Sequence, residues 1–306
     1  MRKTVITGII LVIVLVACKN KETGKQDYVE RNTFLEIEDD LYQLVRPKEN
    51  PKEVLILFGG YPENAEDIKR EFDIVDDVKK RKVSVIFMNY SQKIWLTDNE
   101  LEELAEELQY ILKQNNLPVE NVFIGGFSSG GNVALLLSEF LIKNQRKLIP
   151  KGVFAVDSPI DLVALYKSSE KSVARNFSEV AVNESSWLMQ TLENRLGNPY
   201  DSISNYEEFA VFTSETNNYQ NLKNLKKTPI RFYTEPDTLW WKKNRMADFD
   251  QTNAFYLQKL SEILKRSGYS VEYIATTNKG YRANGVRHPH SWAIVDKEEL
   301  LDWIQK

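Results

Sequence analysis

Along the chain, short apolar runs alternate with longer stretches in which apolar residues recur every three or four positions. The segments 33–45, 53–58, 83–90, 121–125, 152–157, 229–234 and 270–275 read as strands, because β-branched, aromatic or unbroken apolar runs of that length suit a pleated, buried surface. The stretches 64–81, 98–115, 131–144, 251–267 and 297–305 read as helices. In the second of these, Asp98 opens an acidic first turn, and Leu101, Leu104, Ala105, Leu108, Ile111 and Leu112 form one apolar stripe. This alternation predicts βαβ units, hence an α/β fold with a mostly parallel central sheet covered by helices on both faces. From about 158 to 227 the alternation lapses. There 162–166, 187–196 and 206–212 are apolar pieces separated by polar turns, which predicts an insertion of several small helices.

The first 32 residues follow another pattern. Met1, Arg2 and Lys3 precede an apolar run from Val5 to Ala17 that ends in small residues before Cys18, a run too short to span a bilayer comfortably. This resembles a bacterial lipoprotein signal. The resemblance implies removal of 1–17, lipidation of Cys18, and attachment to a membrane of the cell envelope, facing the periplasm or the exterior. The polar stretch 18–32 then reads as a flexible tether, and 33–306 as one domain carrying the insertion.

Composition narrows the chemistry. Cys18 is the only cysteine and the chain has two histidines, both in one loop, so neither a disulfide nor a cysteine- or histidine-rich metal centre is expected, and no cofactor is implied. The net charge of −4, without a basic patch interleaved with aromatics, argues against a nucleic-acid partner.

The segment Asn121-Val-Phe-Ile-Gly-Gly-Phe-Ser-Ser-Gly-Gly-Asn-Val-Ala-Leu joins an apolar strand to an apolar helix through a glycine-rich turn. Within it, Gly126-Phe127-Ser128-Ser129-Gly130 fits Gly-x-Ser-x-Gly, a strained turn that exposes a nucleophilic serine between two close-packed elements. Moving the frame to Ser129 puts Phe127 where the first glycine belongs, so Ser128 is the nucleophile. A phosphate-binding loop is excluded, because no Lys-Ser/Thr pair follows the glycines.

A serine hydroxyl needs a base, and both histidines lie far downstream in Gly285-Val-Arg-His-Pro-His-Ser-Trp292, between a strand-like and a helical segment. The loop with its His-Ser-Trp ending resembles the esterase-like branch of the α/β-hydrolase superfamily, in which the catalytic histidine is often followed by such a pair. That implies His290 as the base. His288, held before Pro289, is the alternative and suits a loop-shaping role better. The acid is expected at the end of an intervening strand. Asp237, in the turn Glu235-Pro-Asp237 after 228–234, is the choice, with Glu235 behind it and Asp157, after 152–156, as the rival from the preceding strand. Asp157 also reads as a turn or cap residue.

The apolar run 53–58 empties into Gly59-Gly60-Tyr61-Pro62, and the resemblance implies an oxyanion hole made of backbone N–H groups from this loop, Gly60 or Tyr61, and from Ser129 after the nucleophile. Trp187 in the insertion, Asn89, Tyr90, Trp95, Trp240 and Trp241 are weaker candidates for pocket walls. The expected activity is cleavage of an ester or related acyl bond on a small-molecule or glycan-linked substrate through Ser128, His290 and Asp237, with the insertion as a lid. A peptidase or acyltransferase would use the same groups. A surface-binding lipoprotein that keeps only the fold is the non-enzymatic alternative.

Overall fold

The computed structural model describes residues 33–90 and 93–306, so the signal-like run, Cys18 and the tether lie outside the described residues. Among the described residues, eight strands form one sheet in the order β1-β2-β4-β3-β5-β6-β7-β8. They are β1 Phe34–Glu38, β2 Tyr42–Pro47, β3 Val54–Phe58, β4 Ser84–Met88, β5 Val122–Phe127, β6 Gly152–Val156, β7 Ile230–Thr234 and β8 Val271–Ala275. From β4 to β8 every neighbouring pair is parallel, while β1 and β2 form an antiparallel edge. The stretch 33–45, expected as one strand, is therefore a hairpin. Asp39 and Asp40 fold it back, with the Asp39 carboxylate accepting from Leu41 N–H at 3.0 Å.

Strands β3, β4, β5, β6 and β7 are buried along their whole lengths, as parallel strands covered on both faces must be. Alternate side chains feed two cores. Ile56, Phe58, Ile86, Met88 and Ile124 pack under α3 (Asp98–Gln114), α4 (Ser129–Lys143) and α9 (Asn253–Arg266). Leu55, Leu57, Val85, Phe87 and Phe154 pack under α1 (Ala65–Phe72), α2 (Val75–Arg81) and α10 (Lys297–Ile304). The helix expected over 64–81 is two helices, because Asp73 adopts the left-handed conformation (φ 49°) and ends α1.

Between β6 and β7 the chain forms α5 (Leu162–Arg175), α6 (Glu179–Leu196), the short α7 (Ser204–Glu207) and a 3-10 helix, Gln220–Lys227. This insertion has a small core of its own, in which Leu162, Tyr166, Leu192, Leu196 and Tyr206 meet Ile94 from the loop after β4. Helix α8 (Thr238–Arg245) directly follows β7.

Candidate active site

Ser128 sits on the one residue that links β5 to α4, with φ 52° and ψ −128°, a backbone conformation that a side chain other than glycine adopts only when its surroundings enforce it. Two glycines make that enforcement possible. A Cβ on Gly126 would lie 2.1 Å from the Gly130 carbonyl oxygen, and one on Gly130 would lie 2.3 Å from the Phe58 carbonyl oxygen, so the strand, the helix and the end of β3 close in on the serine from three sides. Ser128 N–H donates to Val156 O at 2.9 Å, which ties the turn to the end of β6.

His290 and Ser128 line the same cavity of about 550 Å³, which Tyr61, Trp187, Leu188 and Trp241 also wall. The His290 ring rests on Phe127, with centroids 4.4 Å apart. Its Nδ1 lies 2.6 Å from Asp157 Oδ2, leaving Nε2 as the nitrogen available to a hydroxyl. Asp157 is 4 % exposed and takes a left-handed φ of 43°, directly after β6. Its N–H donates to Tyr233 O at 2.8 Å and its carbonyl accepts from Asn253 Nδ2 at 2.7 Å, so β7 and α9 hold the residue that holds the imidazole. Ser128, His290 and Asp157 thus gather at the carboxyl ends of adjacent strands, where parallel sheets place their ligands.

No protein-family model matches the sequence, and no curated protein does. Solved structures do resemble it. An esterase of the bacterial hormone-sensitive lipase family is 12% identical, with a TM-score of 0.56 over 90% of this chain and 84% of that one. The Staphylococcus aureus fluorophosphonate-binding serine hydrolase F is 15% identical, with a TM-score of 0.52 over 89% of this chain and 97% of its own. A Rhizomucor miehei esterase is likewise 15% identical, with a TM-score of 0.52 over 89% and 82%. The chain has the α/β-hydrolase fold.

On this α/β-hydrolase fold the carboxylate that meets the imidazole comes from the turn after β6, one strand before the one expected. Asp237 does not reach the imidazole. Its Oδ1 caps α8 by accepting from Trp240 N–H at 2.9 Å, and its Oδ2 accepts from Arg287 Nη2 at 2.7 Å. Glu235, 2 % exposed, also pairs with Arg287 and accepts from the N–H groups of Lys279 and Gly280, both at 2.8 Å. The two acids fasten the loop after β8 and leave the histidine to Asp157. The capping role expected of Asp157 belongs to Asp161, which accepts from Ala164 N–H at 2.9 Å at the start of α5.

His288 stands behind His290. Its Nδ1 accepts from His290 N–H at 3.2 Å, and its ring packs on Trp240 and Trp241 with centroids 4.6 and 5.9 Å away. Burial, seconded by the nearby His290, Arg282 and Arg245, pushes its pKa down to about 3, so the ring is neutral and accepts at Nδ1.

The loop after β3 departs from expectation as well. A Cβ on Gly60 would fall 2.8 Å from Ser128 Cβ, so the loop does lie against Ser128. Yet Gly60 N–H donates to Glu63 Oε2 at 3.0 Å and is not aimed at a substrate. Tyr61 N–H donates to Ser129 Oγ, also at 3.0 Å. Glu63 additionally accepts from Trp292 Nε1 at 3.1 Å, and burial raises its pKa against the lowering effect of these donors.

Of the weaker candidates, Trp187 and Trp241 wall the cavity, and Trp187 stacks on Tyr61 at 4.8 Å. Asn89 is structural, accepting from Ala65 N–H at 2.8 Å to start α1. Tyr90 packs edge-on to Phe58 and Trp95 against the core of the insertion. Sequence reasoning missed Glu63, Asn253 and Asn132. Asn132, 2 % exposed in α4, donates to Ile94 O at 3.1 Å and Pro159 O at 2.9 Å, joining the base of the insertion to the elbow. An asparagine inside an otherwise apolar helix was the available signal. A second cavity, about 380 Å³, lies beside Leu101, Glu139 and Arg195 and contains none of the candidate residues.

Proposed function

We propose that the protein is a serine hydrolase that cleaves a carboxylic ester or related acyl bond, using Ser128 as nucleophile, His290 as general base and acid, and Asp157 as the group that orients the imidazole. The observation that carries this reading is the 2.6 Å contact of His290 Nδ1 with Asp157, made by the histidine that shares a cavity with an elbow serine. Ser128 Oγ attacks the acyl carbon as His290 Nε2 takes its proton. That proton then passes to the leaving group, and water reverses the steps to free the acid. Asp157 fixes the tautomer with the proton on Nδ1 and stabilises the imidazolium formed during attack.

Helices α5 and α6 supply Leu165 and Leu188 to the cavity wall and serve as a lid that selects the acyl group. The walls are mostly apolar and aromatic, Gln251, Thr252 and Asn253 add neutral polar groups, and Glu184 and His290 are the ionisable side chains besides Tyr61, which favours an uncharged acyl group on a small-molecule or glycan-linked substrate. Catalysis takes place at the cell envelope, on a chain anchored by lipid at Cys18. Support for the anchor is the basic start, the apolar run and the cysteine that ends it.

The test is labelling by a fluorophosphonate, followed by mass spectrometry. Wild type is expected to label at Ser128 and to hydrolyse short acyl esters, and Ser128→Ala to do neither while melting at an unchanged temperature. Labelling at Ser129, or none at all, would sink the assignment. Membrane-fraction recovery of wild type and release of Cys18→Ser test the anchor.

A further inference from the structure

The loop after β3 and the residue after the nucleophile are joined by a bond that changes what each can offer to a reacting carbonyl. Of the three backbone N–H groups expected to hold an oxyanion, that of Gly60 is engaged by Glu63 and that of Tyr61 by the hydroxyl of Ser129. Glu63 is itself held by Trp292 Nε1, so Gly60 is not readily released. Ser129 is 4 % exposed, yet it lines the cavity beside Ser128 and His290. A serine hydroxyl has one proton to give and two lone pairs to receive with. Here one lone pair is used by Tyr61 N–H, and among the described residues no acceptor takes the proton. The Ser129 backbone N–H is also without an intrahelical partner, because Ser129 is the first residue of α4.

Resting on the serine-hydrolase reading above, we propose that the Ser129 side chain is a catalytic residue: its hydroxyl, polarised by Tyr61 N–H, donates a hydrogen bond to the oxyanion alongside its own backbone N–H. When Ser128 Oγ bonds to the acyl carbon, the carbonyl π pair moves to oxygen. That oxygen accepts from Ser129 N–H and Ser129 O–H, and both protons stay where they are. A hydroxyl that accepts from a backbone N–H is a stronger donor than a free one, since hydrogen bonds in a chain polarise one another. Tyr61 N–H therefore acts through the serine, and Gly60 holds the loop in place.

The experiment compares wild type, Ser129→Ala and Ser129→Cys in full-length protein. It measures kcat and KM on a p-nitrophenyl ester, the rate of fluorophosphonate labelling, and Tm. Removing one oxyanion donor typically lowers kcat by 10²–10³-fold. Ser129→Ala is expected to lose about 10²-fold in kcat and a similar factor in labelling rate, with KM changed by less than about threefold. Ser129→Cys keeps the shape but is a weak donor, so it is expected to fall nearly as far with Tm unchanged. Wild-type kcat in Ser129→Cys, or a loss confined to KM and Tm, would show that the hydroxyl only packs and would overturn the inference. A wild-type protein that labels at Ser128 but is unaffected by Ser129→Ala overturns the inference and leaves the hydrolase reading standing. A wild type that neither labels nor hydrolyses removes both.

Discussion

The turn after β6 and the turn after β7 carry acidic residues of the same kind, at the same edge of the sheet, and put them to different use. Asp157 faces an imidazole and is fixed by backbone contacts to β7 and α9. Glu235 and Asp237 face a guanidinium and the N–H groups of a loop and a helix start. What separates them is the path of the chain after β8. The loop crosses the end of β7, where Arg287 is caught, before it delivers His290 to the end of β6. A carboxylate's role is thus decided by which later segment passes over its strand.

The sharpest way to break this comparison is to neutralise the acid after β6. Asp157→Asn keeps the turn, but it can donate its amide to Nδ1 and so favour the wrong tautomer. We expect kcat to fall by about 10⁴-fold with little change in Tm. Steady-state kinetics beside a melting curve decide it, and a near-wild-type rate would move the acid elsewhere.

Glu235→Ala should act on the opposite axis. Removing a buried partner of Arg287 and acceptor of two loop N–H groups is expected to cost about 3 kcal/mol of stability in urea unfolding. Turnover of the folded fraction should remain near wild type. A collapse of kcat at unchanged stability would make the turn after β7 chemical and erase the contrast.

Acid sharpens it further. His288 has its pKa lowered from 6.5 to about 3, so below about 6.5 the unfolded chain binds a proton that the folded chain refuses. The stability this residue contributes is complete above 6.5 and drains away between 6.5 and 3. Partial exposure to solvent reduces the full figure to about 1–2 kcal/mol at pH 4.5. Unfolding measured at pH 7.5 and pH 4.5 should show wild type losing that much more than His288→Gln.

The smallest effect is expected at Asp237. Asn retains the cap on α8 and loses only one of two charges on Arg287, so Asp237→Asn should change stability by less than about 1 kcal/mol and kcat by less than about twofold. A large kinetic defect would restore the acid to the turn after β7.

How far the sequence could be read depends on how local each feature is. The buried strands announce themselves as continuous apolar runs, and the elbow is written in five consecutive residues, so both were legible. The break at Asp73 and the hairpin at 39–41 turn on single residues, and periodicity averages over single residues. Which carboxylate meets the imidazole was illegible for a stronger reason. Both Asp157 and Asp237 follow a strand and lie between Ser128 and His290 in the chain, and only the course of a loop more than a hundred residues downstream of Asp157 tells them apart. The bond from Tyr61 to Ser129 is likewise a contact between segments 68 residues apart.

The left-handed backbone at Asp157 has an evolutionary consequence. Few side chains tolerate φ 43° without cost; besides glycine, asparagine and aspartate are the usual occupants. Glutamate, the only other permanent anion, combines a poor fit to that conformation with an extra methylene in a space set by a 2.6 Å contact. The substitutions that suit this backbone best carry no charge, and the one that carries charge fits it less well and is longer. With Asp157 as the proposed acid, neutral drift at this position is narrow, and a lineage would relocate the acid by acquiring a second carboxylate within reach of His290 before giving up the first.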